Sequence, residues 1–105
     1  MVEISKADWK LFRERVPEWQ ENYMERLIKK YIKLLSSPGN ASDHFWELDK
    51  RIKTDRKHPG VILEMRKSEA IWDIAILINK KVITLNDLEG FSQELIDSVV
   101  ELLNR

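Results

Sequence analysis

Between Ala70 and Ile78 the chain reads AIWDIAILI, nine residues that are apolar on almost every side of a helix and interrupted only by Asp73. A helical span of the bilayer needs about 20 apolar residues, so a run this short predicts the buried spine helix of a core. Elsewhere apolar positions recur at spacings of three and four, and no stretch alternates with period two for long enough to suggest a sheet. In the segment after Pro17, Trp19, Tyr23, Leu27 and Leu34 share one face, and Tyr31, Met24, Leu35, Ile28 and Ile32 follow progressively further round. That arc exceeds half the circumference, whereas a helix lying on one side of a core needs a stripe of about 100°. Leu95, Ile96, Val99, Val100, Leu102 and Leu103 make a third broad apolar face. The pattern predicts an all-α fold, a compact bundle of about five helices in a single domain over residues 1–105.

Capping and breaking residues set the expected boundaries. Ser5 with Asp8 three residues later predicts a capped first helix to about Arg15, and Pro17 suits the first turn of a second helix that runs to about Leu35. The alternative is one long helix kinked at Pro17. Ser36, Ser37, Pro38, Gly39 and Asn40 form the clearest loop. A third helix is expected from near Ser42 to just before His58, and Pro59 is expected to open the spine helix, which ends near Asn79. Thr84 with Asp87 marks a short helical turn closed by Gly90, and Ser92 caps a last helix through Leu103.

Three helices with wide apolar arcs carry more apolar surface than a chain of this size hides easily, and contiguous exposed patches mark interaction sites. Self-association, most simply as a homodimer, is the expected remedy. The candidate interface anchors are Trp19, Tyr23, Ile71, Trp72 and Ile76, and a second protein partner could use the same surface. The opposing arrangement has the connector from Ile83 to Phe91 folding back to cover the spine within one subunit. Asp73, a charge among apolar neighbours, is expected to complete a polar stripe with Arg66 and Glu69 that faces water or a partner residue.

The third helix differs. Its apolar edge of Phe45, Leu48 and Ile52 is narrow, while Trp46, Lys50, Lys53 and Lys57 align along an adjacent strip. A tryptophan ending a row of lysines can stack on a base while the ammonium groups meet phosphates, so these four residues are the candidate nucleic-acid contact. Eighteen basic against eighteen acidic side chains argue against a dedicated nucleic-acid binder. Locally the balance shifts: residues 29–57 carry eight basic and four acidic side chains, and residues 82–105 carry one and five, so attraction between the two regions is expected, either within a subunit or across a dimer.

Chemistry is sparse. His44 and His58 lie in no recognised ligand spacing, neither Pro-Gly pair sits in a phosphate-cradling context, and no serine has a nucleophile motif. No metal, cofactor or catalytic residue is expected. With no cysteine there is no disulfide or thiolate chemistry, and the N-terminal residues do not read as a secretory signal, so a cytoplasmic location is expected.

DWKLFRERVPEWQENYMERLIKKYIKLL, HPGVILEMRKSEAIWDIAILI and VITLNDLEGFSQEL together resemble a family of small, functionally uncharacterised all-helical bacterial proteins, some of which carry the label "multidrug transporter". The resemblance extends over nearly the whole chain and implies no active-site residues. A transporter role has no physical support here, because no segment is long and apolar enough to cross a bilayer.

Overall fold

The computed structural model describes residues 3–105. Four α-helices follow one another: α1 (Lys6–Ser36), α2 (Ala41–Asp55), α3 (Ala70–Asn79) and α4 (Gln93–Leu103), with single 3-10 turns at Lys67–Glu69 and Leu85–Leu88. The molecule is all-helical as the periodicity predicts, with four α-helices where about five are expected.

The count falls because α1 is one continuous helix of 31 residues that passes through Pro17. An interior proline costs about 3 kcal/mol, since it removes one backbone hydrogen bond and crowds the preceding turn. Phe12, Val16 and Trp19 straddle Pro17 and are all buried in one core, and burying each such side chain contributes roughly 1.5 to 3 kcal/mol. Packing on both sides of the proline therefore outweighs the local break.

Pro59 also departs from expectation, since no helix opens there. The His58 carbonyl accepts from the amides of Val61 and Ile62, both at 2.9 Å, and His58 Nδ1 accepts from the Gly60 amide at 3.0 Å. Those bonds close a tight turn. Beyond it, Leu63 and Met65 turn onto the core while Ile62 and Glu64 face outward, so the segment behaves as an extended strap before α3 begins at Ala70.

α3 is the spine. Ala70, Ile71, Ile74, Ala75 and Leu77 are buried between the first half of α1 and α4, which contributes Leu95 and Val99. A left-handed residue, Lys81 (φ 62°), ends α3. The Val82 amide returns to the Leu77 carbonyl at 2.9 Å and the Lys81 amide to Ile78 at 3.0 Å, the paired bonds of a Schellman motif. This reversal sends Val82, Ile83, Leu88 and Phe91 back over the spine, where all four are buried. The connector is pinned from α1: Arg15 donates to the carbonyls of Asp87 (2.9 Å) and Glu89 (2.6 Å), and Arg26 donates to Val82 (3.0 Å). The connector thus covers the inner face of the spine within one subunit, while Trp72 on its outer face stays exposed.

Caps join the chain ends. The Ser5 hydroxyl accepts from the Asp8 amide at 3.1 Å, but the Asp8 carboxylate does not close the reciprocal bond of a capping box. It is buried and accepts instead from the Ser92 amide (3.0 Å) and the Ser92 hydroxyl, while that hydroxyl caps α4 by accepting from Leu95. Thr84 and Asp87 do form the reciprocal box expected of them.

Candidate interaction surface

This packing engages α1 only as far as Tyr23, with Arg26 the last α1 residue to reach the head. The stripe Phe12, Val16, Trp19, Tyr23 advances in steps of four, three and four and continues to Leu27, Tyr31 and Leu34; its first part meets the core and its last part meets α2. From Ile28 to Ser36 the helix leaves the core behind. α2 returns antiparallel to it after the short Ser37–Asn40 turn and buries none of its side chains fully. The chain is therefore a globular head with a two-helix arm, and α1 gives the molecule its 52 Å long dimension.

Among the described residues, nine large apolar side chains stand exposed, and six belong to the arm: Ile28, Ile32, Leu35, Phe45, Trp46 and Ile52. Ile28, Ile32 and Leu35 are the α2-facing positions 27, 31 and 34 displaced by one residue, which turns them about 100° away from α2. On α2, Phe45 and Ile52 flank Leu48 on the corresponding side. In an antiparallel pair of right-handed helices, displacement in the same rotational sense brings both stripes to the same side of the hairpin. The arm thus carries one apolar face built from two helices. Isolated exposed apolar residues are ordinary, whereas a contiguous patch marks a contact surface.

Contacts at the base and within the arm fix how α2 lies on α1. The Tyr23 ring stacks on His58 with centroids 4.6 Å apart and planes 6° from parallel. Gln20 donates to the Pro59 carbonyl at 3.2 Å, and the Tyr31 hydroxyl donates to Asp55 near the end of α2. Burial and the Asp55 bond push the Tyr31 phenol up to about 12, while burial, reinforced by Lys80, lowers His58 from its ordinary value. Both groups are accordingly neutral near pH 7. Gly60 is buried against Tyr23, and a Cβ there would lie 2.3 Å from Cδ2 of the ring.

The expected anchors separate into core and surface. Trp19 and Ile71 are buried in the head and are unavailable to a partner. Tyr23 is half-buried at the junction. Trp72, 45% exposed, and the half-buried Ile76 line a groove of about 250 Å³ between α3 and α4 with Leu102 and Leu103. The apolar face of the arm was not among the expected anchors, although its helical spacing is visible once the α2-facing stripe is subtracted.

Trp46, Lys50 and Lys53 share the outer edge of α2, whereas Lys57 lies in the turn beyond the helix end at Asp55. Trp46 is 65% exposed, its ring edge-on to Phe45 at 5.0 Å, and Lys53 is paired with Asp49 at 2.9 Å. Asp73 is half-buried and one of its oxygens has no hydrogen-bond partner. Its expected neighbour Arg66 forks instead onto Glu64 at 2.7 and 3.1 Å. Burial, with the nearby Glu69 charge, pushes Asp73 up to about 6.

The histidines sit at opposite ends of α2, with His44 Nε2 3.3 Å from the Ser37 hydroxyl at the arm tip. Among the described residues no group of three His, Asp or Glu side chains converges as a metal site, and no helix is long and apolar enough to cross a membrane. No family model, curated protein or solved structure matches the chain.

Proposed function

We propose that this chain is a cytoplasmic protein-interaction module that self-associates, and that its contact surface is the apolar face of the arm. The observation that carries this reading is the concentration of exposed apolar side chains on two adjacent helices of the arm, while the head buries its spine apart from Trp72. Desolvating such a face is favourable at about 25 cal/mol per Å² of apolar area, and the head lends the arm nothing with which to bury it.

Light scattering during size-exclusion chromatography tests the reading. The expected mass is twice the 12.5 kDa of one chain at tens of micromolar. Ile28→Asp and Ile32→Asp should each return the protein to a monomer with an unchanged helical circular-dichroism spectrum, because both positions are solvent-exposed in the single chain. Trp72→Asp, in the head groove, should leave the mass alone. A 12.5 kDa species for the unsubstituted protein overturns the proposal.

A second reading is supported by the exposed Trp46 on the same edge of α2 as Lys50, with Lys57 following the helix end; neither lysine is ion-paired among the described residues. It makes the arm's outer edge a nucleic-acid contact. Fluorescence anisotropy with labelled single- and double-stranded oligonucleotides at low salt tests it: binding should fall steeply with salt and on replacing Lys50, Lys53 and Lys57. No binding at low salt removes this reading.

A further inference from the structure

We infer that the second copy docks side by side on the arm with both heads at the same end, so that α1 of each chain lies against α2 of the other in a four-helix bundle. This rests on the self-association proposed above and adds its geometry. Two contacts bracket the hairpin, Ser37 with His44 near the tip and Tyr23 with His58 at the base, and Tyr31 with Asp55 crosses between them. Between the two bracketing contacts α1 and the returning segment advance by the same number of residues, so on average a step down α1 is matched by a step back along that segment. Leu35 is accordingly level with Phe45, Ile28 with Ile52, and Met24 and Glu25 with Arg56.

The apolar face therefore has a graded composition. Leu35 and Phe45 stand near its tip, Ile28, Ile32 and Ile52 occupy its middle beside Asp49, which is already paired with Lys53, and its base carries the unpaired charges of Glu21 and Glu25 on α1 and Arg56 on α2. All three base residues are exposed, and none takes part in an ion pair among the described residues. Rotating a second copy by half a turn about an axis parallel to the arm keeps every level in place and exchanges the helices. Leu35 then meets the Phe45 level of the other copy, Ile28 meets the Ile52 level, and the acidic base of α1 meets the Arg56 level of α2. Opposite charges on the two helices of one face are thereby satisfied twice, once on each side of the symmetry axis. Turning the second copy end over end instead would set Leu35 and Phe45 against charged base positions, leaving those charges desolvated beside apolar groups.

The head permits the side-by-side arrangement. Phe12, Val16 and Trp19 direct it to one side of α1, and the side continuous with Ile28 and Leu35 carries Lys10, Glu14, Pro17 and Glu21, all exposed.

A nitroxide at Lys10→Cys, in a chain that has no cysteine of its own, reads the geometry directly by pulsed electron spin resonance. Lys10 lies about 20 residues, or roughly 30 Å, from the middle of the arm at 1.5 Å per residue. Heads at the same end give an inter-label distance below about 35 Å, and heads at opposite ends give about 60 Å. Charge reversal supplies the second measurement. Glu25→Arg and Arg56→Glu should each weaken the dimer about tenfold, and the double variant should recover most of the loss. A dimer with a distance beyond about 50 Å, or with no recovery in the double variant, overturns this geometry and leaves self-association standing. A monomer by light scattering overturns both.

Discussion

Head and arm are built from the same helix, yet they solve opposite problems. In the head, α1 supplies Phe12, Val16 and Trp19 to a core in which Ile74, Leu88 and Val99 are wholly buried. Polar anchors close it: Asp8 to Ser92, and Arg15 to the 87–89 backbone. In the arm, the same helix continues with as many apolar positions per turn but has only α2 beside it, and Ile32 stays 57% exposed. The comparison teaches that apolar content in a helix does not locate an interface. What locates it is the part of the arc left over once the chain's own packing has been subtracted.

The sharpest way to break the comparison is to make one truncation in each region. Ile74→Ala removes a buried side chain from the centre of the spine and should cost about 2 to 5 kcal/mol of unfolding free energy. Ile32→Ala should change the stability of the dilute monomer by less than about 0.5 kcal/mol, because the group is already hydrated. Chemical denaturation at submicromolar concentration, where association is weakest, separates the two. Comparable losses would mean that the arm face is buried within the single chain.

Somewhat smaller effects are expected where polar groups and tight turns tie regions together. Asp8→Ala strands the Ser92 amide in a part-buried site and should cost about 1 to 3 kcal/mol, the penalty of an unsatisfied donor. Gly60→Ala places a methyl group inside contact distance of the Tyr23 ring and should cost a similar 1 to 3 kcal/mol by forcing it off His58. The two variants differ in what else they change. Asp8 is remote from the arm, so its loss should leave self-association per folded molecule intact. Gly60 holds the base of α2, so its replacement should also weaken the dimer, visible as a concentration-dependent shift in light scattering.

These residues also show what a linear reading reaches. The spine ends near Asn79, the reciprocal box at Thr84 and Asp87, the cap at Ser92 and the loop around Pro38 are all legible, because each depends on side chains within a few residues of one another. Pro17 is different. Its local rule favours a helix start, and only the burial of Phe12, Val16 and Trp19 against distant segments overrides it. Pro59 follows the same rule and loses to a turn closed by His58 and Gly60. Nor can spacing alone apportion an apolar arc: Trp19 and Ile71 look like anchors until the head encloses them, while Ile28, Ile32 and Leu35 look like the far edge of one wide stripe. Which part becomes surface is decided by where the head stops along α1, and that is a long-range fact. Asp73 was legible as an oddity in the spine. That Arg66 would turn to Glu64 instead was not.

Asp73 supplies the smallest effect and the most selective one, since it tests the head alone. Its carboxyl is pushed up to about 6, from an ordinary value near 3.8, because burial disfavours the anion and Glu69 repels it. A carboxyl whose folded value is raised holds its proton more tightly in the native state. Its stabilising share is therefore complete below about pH 3.8 and disappears as the pH climbs through about 6. His58 acts in the opposite sense: its value is lowered on folding, so its neutral form favours the native state above about 6.5 and that advantage shrinks as acid is added. The two trends partly cancel in the whole protein, which is why the informative quantity is a difference between variants. Asp73→Asn removes one trend and keeps the shape. At pH 8 it should be more stable than the parent by about 1 kcal/mol, a shift of two pH units discounted for a half-exposed group. At pH 4 the two should coincide. Thermal melts of both proteins across that range decide it: a constant gap would mean that the side chain's volume matters and its charge does not, and a parent more stable at pH 8 would mean that the unpaired oxygen finds a cation in solution.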